Sequence, residues 1–320
     1  MTQTVGAAGS AFAETWPNKP ITLMVPYPPG GPSDMIARIV SPPLAKELGQ
    51  QVIVENLGGA SGTLAAQKVL AAPADGYYLF QGSANEVILA PLVNESVTLR
   101  SEDFRLVHPV ADSMVVFLTR KDLPVSSVDE LIELAKKMSD RPLTYGSIGV
   151  GSLFHLVLED VQQRTGIKLQ HVPYKGNAPL LQDIGGGQID LAVLAYSASV
   201  GRLADDGKLK LIAQFGAQRS EALKDVPTVS EGQTLKNSSY RIWSGFMVPE
   251  ATPELVVQRL HAAIGECCKT RRCALSWRRR PSSRLRRCCW GKRAASSKAR
   301  RRTIAPLPRP SSCSRSDRHA

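Results

Sequence analysis

The sequence ITLMVPYPPGGPSDMIARIV, residues 21–40, contains the pattern that decides the fold. Ile21–Val25 is a short apolar run that predicts a buried strand, and a loop rich in proline and glycine follows it at residues 26–33. Ser33 precedes a segment with apolar residues on one face, so we expect this serine to cap a helix. A buried strand, a glycine-rich loop and a helix together form the repeating unit of α/β proteins.

The same alternation continues along the chain, which predicts an α/β fold with largely parallel sheets. Pro42 and Pro43 predict a kink or break in the first helix, because proline lacks the backbone N–H. Ser127 and Glu130 predict a capping box at the start of a later helix. The predicted strands after the first are residues 52–55, 77–81, 115–119, 143–147, 168–174, 189–195 and 209–215. Of the predicted helices after the first, one ends near residue 72, and the others cover residues 128–137, 153–165, 179–184 and 197–205.

Charge and cysteine are concentrated at the C-terminal end of the chain. The 320 residues carry a net charge of +12, yet residues 267–320 contain 18 Lys and Arg against a single acid, Asp317. Residues 1–266 have a net charge of −5 and no cysteine, because all six cysteines follow them. This composition excludes a disulfide framework, a cysteine-ligated zinc and a thiol nucleophile from residues 1–266. No apolar run approaches the roughly 18 residues needed to cross a bilayer.

The basic C-terminal segment has two interpretations. Lys and Arg clusters neutralise phosphates, so residues 267–320 are compatible with a nucleic-acid-binding tail. However, the segment begins abruptly within the helical pattern PELVVQRLHAAIGE and has no aromatic interleaving or metal-spaced histidines. We therefore favour a frameshift in a GC-rich gene, which leaves a disordered basic tail and no nucleic-acid partner.

The N-terminal residues have the composition of a secretion signal. Ala11, Phe12 and Ala13 precede Glu14 in an A-x-A cleavage pattern, although the apolar stretch before them is short and has no positive region. We interpret residues 1–13 as the remnant of a truncated signal peptide, with a chance match as the alternative. Export to the periplasm is the expectation, and a body without cysteine suits an oxidising compartment.

Two glycine-rich loops, at residues 28–33 and 146–152, each connect a predicted strand to a predicted helix. Ligands of open parallel sheets bind at such loops, where free N–H groups and the helix dipole favour an anion. Neither loop has the GK[ST] ending of a phosphate loop or the G-x-G-x-x-G dinucleotide pattern, so a carboxylate fits better. A third loop, residues 82–85, follows a strand in the same way. Any one of these loops alone is equally compatible with a turn that binds nothing.

Catalytic patterns are weak. The sequence lacks a G-x-S-x-G nucleophile elbow, and its histidines are scattered. Ser152 lies one helical turn before His155, so a serine-dependent α/β hydrolase is an alternative. We expect a binding protein rather than an enzyme, without a metal or cofactor.

Several stretches together resemble the substrate-binding receptors of tripartite tricarboxylate transporters, the Bug family. The resemblance covers residues 16–266 and departs from the family at Pro42–Pro43 and after Glu266. Its motifs are WPNKPI (16–21), PYPPGGPSD (26–34), VEN (54–56), GGASGT (58–63), ADGYYL (74–79), YGSIGVGS (145–152), HVPYKGNAP (171–179) and GGGQIDL (185–191).

This resemblance implies a monomeric periplasmic binding protein of the type II-like, Venus-flytrap kind, in which a hinge closes two lobes on the ligand. It implies a first lobe of residues 14–115 plus about 236–266 and a second lobe of residues 116–235. It also implies that backbone groups, hydroxyls and bridging waters hold one carboxylate of an organic acid or amino acid, for delivery to the membrane components of the transporter.

The ligand-binding residues that this interpretation predicts lie in the strand-to-helix loops. Asp190 is a candidate that is equally compatible with structural support. The predicted set is Tyr27, Pro29, Gly30, Gly31, Ser33, Ser83, Asn85, Ser147, Gly149, Gly151, Ser152, His155, Asp190 and Tyr196.

Overall fold

A computed structural model of the chain describes residues 16–269. The predicted signal-peptide remnant, residues 1–13, and the predicted basic tail from residue 270 onward lie outside the described residues. Residues 267–269 are described, and they continue the last helix beyond Glu266. No helix within residues 16–269 is long and apolar enough to cross a membrane.

Strands and helices alternate through the described residues, as the sequence predicts. The strands are β1 (Ile21–Val25), β2 (Val52–Asn56), β3 (Tyr78–Ser83), β4 (Phe104–Arg120), β5 (Leu143–Ser147), β6 (Leu169–Pro173), β7 (Leu191–Ala195), β8 (Leu209–Phe215) and β9 (Arg241–Pro249). The α-helices are α1 (Pro32–Leu48), α2 (Thr63–Ala71), α3 (Ala90–Val93), α4 (Val128–Lys137), α5 (Leu153–Thr165), α6 (Asn177–Gly185), α7 (Ala198–Asp205) and α8 (Glu254–Lys269).

The strands form a mixed sheet, which corrects the expectation of largely parallel pairing. Strand β1 is parallel to β2 and β3, and β5 is parallel to β6 and β7. Strands β4 and β9 run between these two groups and pair antiparallel with each other. Strand β9 also pairs antiparallel with β3, and β4 pairs antiparallel with β7 and β8. The order is β2-β1-β3-β9-β4-β7-β5-β6, with β8 paired to β4. The 17-residue β4 is long enough to connect both parallel groups.

Apolar side chains form separate cores on the two sides of the crossing strands β4 and β9. We call the part around β1–β3 the first lobe and the part around β5–β7 the second lobe. Leu23, Leu44 and Leu260 share a first-lobe core, which brings α8 against α1 and β1. Tyr145 and Phe154 belong to the second-lobe core. Tyr27, which precedes α1, packs in this second core, so the first-lobe turn contacts the second lobe as well.

Two predictions about α1 are wrong. The helix begins at Pro32 with Gly31 as its N-cap, so Ser33 lies in the first turn and does not cap the helix. Proline suits the first helical position because its missing N–H would have no partner there. The expected break is also absent, since α1 continues through Pro42 and Pro43. Buried residues on both sides of the prolines, including Val40 and Leu44, hold the helix against the core.

The predicted capping box of α4 is present in altered form. Ser127 Oγ accepts a hydrogen bond from Glu130 N at 3.2 Å, as expected for an N-cap. The Glu130 carboxylate, however, accepts from Ser126 N at 2.6 Å rather than from the N-cap residue itself. The two bonds together satisfy two backbone donors where the helix begins.

Ser127→Ala removes the cap of α4 and is expected to lower the free energy of unfolding by about 1 kcal/mol. Urea denaturation followed by circular dichroism measures the difference. Ser126→Ala is the matched control, because it keeps the backbone N–H that Glu130 binds. An equal loss of stability in both variants would contradict the assignment of Ser127 as the cap.

Candidate functional site

A cleft of about 70 Å³ lies where the two lobes meet the crossing strands. One buried water needs about 10–15 Å³ of such space, so the cleft has room for several water-sized groups. Both lobes and both crossing strands contribute to its walls. The lining residues are Tyr27, Gly31, Pro32, Ser33, Ile36, Ser83, Asn85, Ser113, Ile148, Phe154, Asn177, Ile242, Trp243 and Ser244.

The turn before α1 supplies one wall of the cleft. Of its predicted residues, Tyr27, Gly31 and Ser33 line the cleft, whereas Pro29 and Gly30 lie in the same turn outside the lining. Gly30 has φ +85°, a conformation that favours glycine, and its N–H donates to Asp34 Oδ2 at 2.9 Å. The turn is thus held by the helix that it precedes.

Asp34 anchors this turn from inside the protein. Its carboxylate accepts from Arg38 Nε at 3.0 Å and from Asn56 Nδ2 at 3.0 Å, and Asn56 Nδ2 also donates to Tyr27 O at 2.9 Å. Burial opposes ionisation of Asp34, but the hydrogen bonds from Arg38, Gly30 and Asn56 outweigh it and hold its pKa below the ordinary value. Arg38 is therefore engaged in an ion pair and does not line the cleft.

A fully buried carboxyl group, Glu86, lies directly behind the cleft wall and was not predicted from the sequence. Tyr27 Oη donates to its Oε1 at 2.5 Å, and Ser83 donates to its Oε2 from N at 2.6 Å and from Oγ at 2.7 Å. Desolvation raises the pKa of Glu86, against the opposing effect of these hydrogen bonds. Glu86 fixes the orientation of Tyr27 and Ser83, both of which line the cleft.

Asn85 joins the two lobes at the cleft. It begins the π-helical turn Asn85–Leu89 after β3, and its Oδ1 accepts from Leu153 N at 2.9 Å. Leu153 is the first residue of α5 in the second lobe. The side chain thus occupies a helix N-terminus of the opposite lobe, and its prediction as a cleft residue agrees with its position in the lining.

The second glycine-rich loop holds itself together with the serines that were predicted to contact ligand. Ser147 Oγ donates to Gly149 O at 3.1 Å, and Ser152 Oγ donates to the same oxygen at 2.8 Å. Ser152 also accepts from His155 N at 3.3 Å as the N-cap of α5. Both serines are fully buried and lie outside the cleft lining, so the structure does not bring their hydroxyls to the cleft.

His155 is likewise placed behind the loop rather than in the cleft. Its ring lies 4.4 Å from that of His171, which stacks on Tyr145 at 4.8 Å between centroids. Burial lowers the pKa of both histidines, and burial together with the neighbouring His155 brings that of His171 to about 4. His171 Nε2 lies 2.7 Å from Ser147 Oγ. At neutral pH this neutral pair supports the loop.

Two further predicted residues lie away from the cleft. Asp190 precedes β7, and its carboxylate accepts from Arg120 Nε at 2.9 Å and from Thr144 N at 2.8 Å. These bonds give it the structural role that the sequence left open. Tyr196 lines a separate cavity with Gly201 and other residues of α7 and the segment 221–226.

Close approach between the lobes accounts for the remaining predicted glycines. A Cβ at Gly149 would collide with Ser61, whose Oγ donates to Val150 O at 2.5 Å. A Cβ at Gly151 would lie 3.2 Å from Val93 Cβ. Gly149 and Gly151 therefore contact the opposite lobe rather than line the cleft, whereas Gly31 and Ile148 place both glycine-rich loops in its lining.

Several lining residues were missed by the sequence reasoning. Ser113 of β4 and Trp243 and Ser244 of β9 come from the crossing strands, whereas the predicted residues lie mainly in loops after parallel strands. Polar residues within otherwise apolar strands were the available signal. Asn177 begins α6 just after the loop following β6, the same context that identified Asn85.

The electrostatics of the cleft favour an anion without a cationic side chain. No Lys or Arg is among its lining residues within the described part of the chain. The first turns of three helices contribute to the wall instead: Ser33 of α1, Phe154 of α5 and Asn177 of α6. Helix N-termini carry partial positive charge, although at α5 Asn85 and Ser152 already accept from first-turn N–H groups. No cluster of His, Cys, Asp and Glu within residues 16–269 is suited to hold a metal ion.

Glu86→Gln is expected to change the pH dependence of stability. Because the folded-state pKa of Glu86 is raised, its ionisation opposes folding: its contribution to stability is full below about pH 4.5 and is lost as pH rises through the raised pKa. Glutamine does not titrate. The free energy of unfolding of the wild type minus that of the variant should therefore fall as pH rises from 4.5 to 8, in urea titrations. A difference that stays constant or rises would contradict the buried-acid assignment.

Comparison with known proteins gives a consistent result. The pattern of the tripartite tricarboxylate transporter family receptor matches residues 36–274. A UPF0065 protein of Bordetella pertussis is 34% identical over 259 residues, which cover 80% of this chain and 79% of that protein. The solved periplasmic binding protein BugD is 29% identical with a TM-score of 0.77, covering 82% of this chain and 87% of its own. MatC from Rhodopseudomonas palustris, solved with bound malate, is 28% identical with a TM-score of 0.77, covering 82% and 88%.

These likenesses extend over both lobes and the crossing strands, in agreement with a two-lobe binding-protein fold. With its cleft at the junction of the lobes and its sequence match over most of its length, the chain belongs to the receptor family of the tripartite tricarboxylate transporters.

Proposed function

We propose that this protein is a periplasmic receptor that binds a small carboxylate in the cleft between its lobes. It then delivers the ligand to the membrane components of a tripartite tricarboxylate transporter. The observation that carries the proposal is the cleft itself: three helix N-termini and neutral hydrogen-bonding side chains converge on it, and no Lys or Arg is among its described lining residues. The malate bound by the related MatC supports a carboxylate as the ligand.

The side chains that we propose to contact the carboxylate are the lining residues with hydroxyl or amide groups. Ser33 lies at the N-terminal turn of α1, while Ser113 and Ser244 face the cleft from the crossing strands. Tyr27 and Ser83 already donate to Glu86 and hold the shape of the wall. Backbone N–H groups at the start of α1 complete the donor set, because each donates without adding charge.

Binding is proposed to favour the closed arrangement of the lobes. Asn85 to Leu153 and Ser61 to Val150 are hydrogen bonds that exist only when the lobes touch. A ligand that contacts both walls has higher affinity for this state and shifts the population toward it. The closed protein is then the form that the transporter recognises. We place the lobe boundaries at residues 14–115 plus 236–266 and at residues 116–235, and propose that the protein acts as a monomer.

We propose that the protein performs no catalysis, although Ser147 and His171 form a close pair. Ser147 is fully buried, and its hydroxyl is bound within the loop. Among the described residues, His171 has no hydrogen-bonded carboxylate to orient its ring, as a nucleophile's base requires. Turnover of ester substrates by the purified protein would contradict this assignment.

A panel of small acids tests the proposed function. Malate, succinate, glutarate, butyrate and aspartate are measured against the purified protein by thermal shift and then by isothermal titration calorimetry. A true ligand stabilises the folded protein by about 2.7 kcal/mol when its concentration is 100 times the dissociation constant. The corresponding amides are the control, because they keep nearly the same size and lose the carboxylate charge. Absence of binding by every acid, or equal binding of acids and amides, would contradict a carboxylate receptor.

Gly176→Ala tests whether the contact between the lobes contributes to binding. Gly176 has an extended backbone that alanine adopts freely, but its Cβ would lie 2.9 Å from Pro28 Cδ across the cleft. Overpacking of this kind costs about 1–3 kcal/mol, so we expect affinity for the best acid to fall roughly tenfold. Gly185→Ala, at the other end of α6, meets only Lys208 Cβ at 4.0 Å and is the matched control. Unchanged affinity in Gly176→Ala would show that closure does not need this contact.

A further inference from the structure

Asn177 is a buried polar residue without a partner in the protein. It is the first residue of α6, only 8% of its surface is exposed, and that surface lies in the cleft. Within residues 16–269 its side-chain amide makes no hydrogen bond to another residue. Asn56 and Asn85, the other asparagines near the cleft, both have bonded amide groups.

The partner that the Asn177 amide lacks within the protein has to come from the cleft, where its remaining exposed surface meets solvent or a bound molecule. Buried polar groups in folded proteins almost always have hydrogen-bond partners, because desolvation without compensation destabilises the protein. Asn177 lines the cleft, and its amide atoms are not among the fully enclosed side-chain atoms without a partner. The side chain is therefore available to a bound molecule rather than to the fold.

The backbone at Asn177 adds to this availability. Gly176 is the N-cap of α6 and provides no side-chain cap, so the N–H groups of the first turn have no side-chain acceptor. The helix has nine residues, and its dipole places partial positive charge at this end. The amide and the helix terminus together favour a ligand group that carries oxygen acceptors and negative charge.

Asn177 lies on the opposite wall of the cleft from the turn before α1. Gly176, its neighbour, packs against the Tyr27–Pro28 segment of the first lobe, so the two walls are close. Apolar side chains, including Ile36 and Phe154, lie among the lining residues alongside the two polar ends. The α1 turn and Asn177 therefore offer polar groups to one ligand from opposite lobes.

We propose that Asn177 is a specificity-determining residue that reads a second carboxylate on the ligand. It makes the cleft select short dicarboxylates over monocarboxylates of the same chain length. The Asn177 amide donates to one oxygen of this second carboxylate, and the N-terminus of α6 stabilises its charge. This inference rests on the proposed carboxylate receptor and names the part of the cleft that chooses among carboxylates.

The experiment compares matched pairs of acids by isothermal titration calorimetry: succinate with butyrate, and glutarate with valerate. In Asn177→Ala, affinity for the diacids should fall roughly tenfold or more, the effect of losing a hydrogen bond to a charged group. Affinity for the monoacids should stay within about twofold. Asn177→Asp should weaken diacid binding further than Asn177→Ala, because the new carboxylate repels the second carboxylate of the ligand. Asn94→Ala, whose amide oxygen accepts from Ser96 in an exposed turn, is the control and should change neither affinity.

The outcomes separate this inference from the proposed function. If the wild type binds none of the acids, the carboxylate receptor itself is wrong. If the wild type binds diacids, but Asn177→Ala weakens diacids and monoacids equally or leaves both unchanged, the role of Asn177 is overturned. Asn177→Ser, which retains a hydroxyl donor, should restore part of the diacid preference. If Asn177→Ala does not fold, Asn177→Ser is measured in its place, and equal or absent changes for diacids and monoacids overturn the role of Asn177.

Discussion

Recognition of an anion without a cationic side chain, as we propose for the cleft, relies on the N-terminal ends of helices, and this requirement constrains the loops around it. Partial charges act over a short distance, so backbone N–H groups serve an anion only when the chain approaches closely. Close approach requires positions without a side chain. Gly149 and Gly176 occupy such positions, because a Cβ at either would collide with, or crowd, the opposite lobe. Glycine in these loops thus has a steric role between lobes as well as a conformational one.

Neutral recognition also requires a rigid wall, which the buried groups behind the cleft provide. Asp34 holds the α1 turn, and Glu86 holds Tyr27 and Ser83 through three hydrogen bonds. Each carboxyl group is enclosed by its hydrogen-bond donors, so these bonds hold the residues of the wall in place. A carboxylate behind an anion-binding wall opposes the ligand electrostatically. Burial raises the pKa of Glu86, which disfavours its charged form and so lessens that opposition. Rigidity and charge balance are thus linked in one residue.

The sequence predicted the elements better than the directions of side chains. Apolar runs bounded by glycine and proline identified β1, β5 and α5 with their observed bounds, because burial and helix signals are local. The hydroxyls of Ser147 and Ser152 turn inward, since the loop needs them to bind Gly149 O. Whether such a hydroxyl bonds its own loop or a ligand depends on the tertiary structure, and the residue type alone does not reveal it. The crossing strands escaped prediction as cleft walls for a related reason: antiparallel pairing over a long distance decides which residues reach the cleft.

The crossing strands also bear on the proposed closure, because they lie between the two lobes and line the cleft. Strands β4 and β9 pair from Phe104 with Pro249 to Met114 with Arg241, with two register irregularities between them. Such irregularities bend a strand pair and change its twist. Ser113 and Ser244 lie on these strands and line the cleft. A ligand bound to these two serines and to both lobes therefore contacts the crossing strands as well as the lobes that they connect. Any change in the angle between lobes alters these contacts together, so affinity depends on that angle, and the closed state is the one that the bound ligand favours.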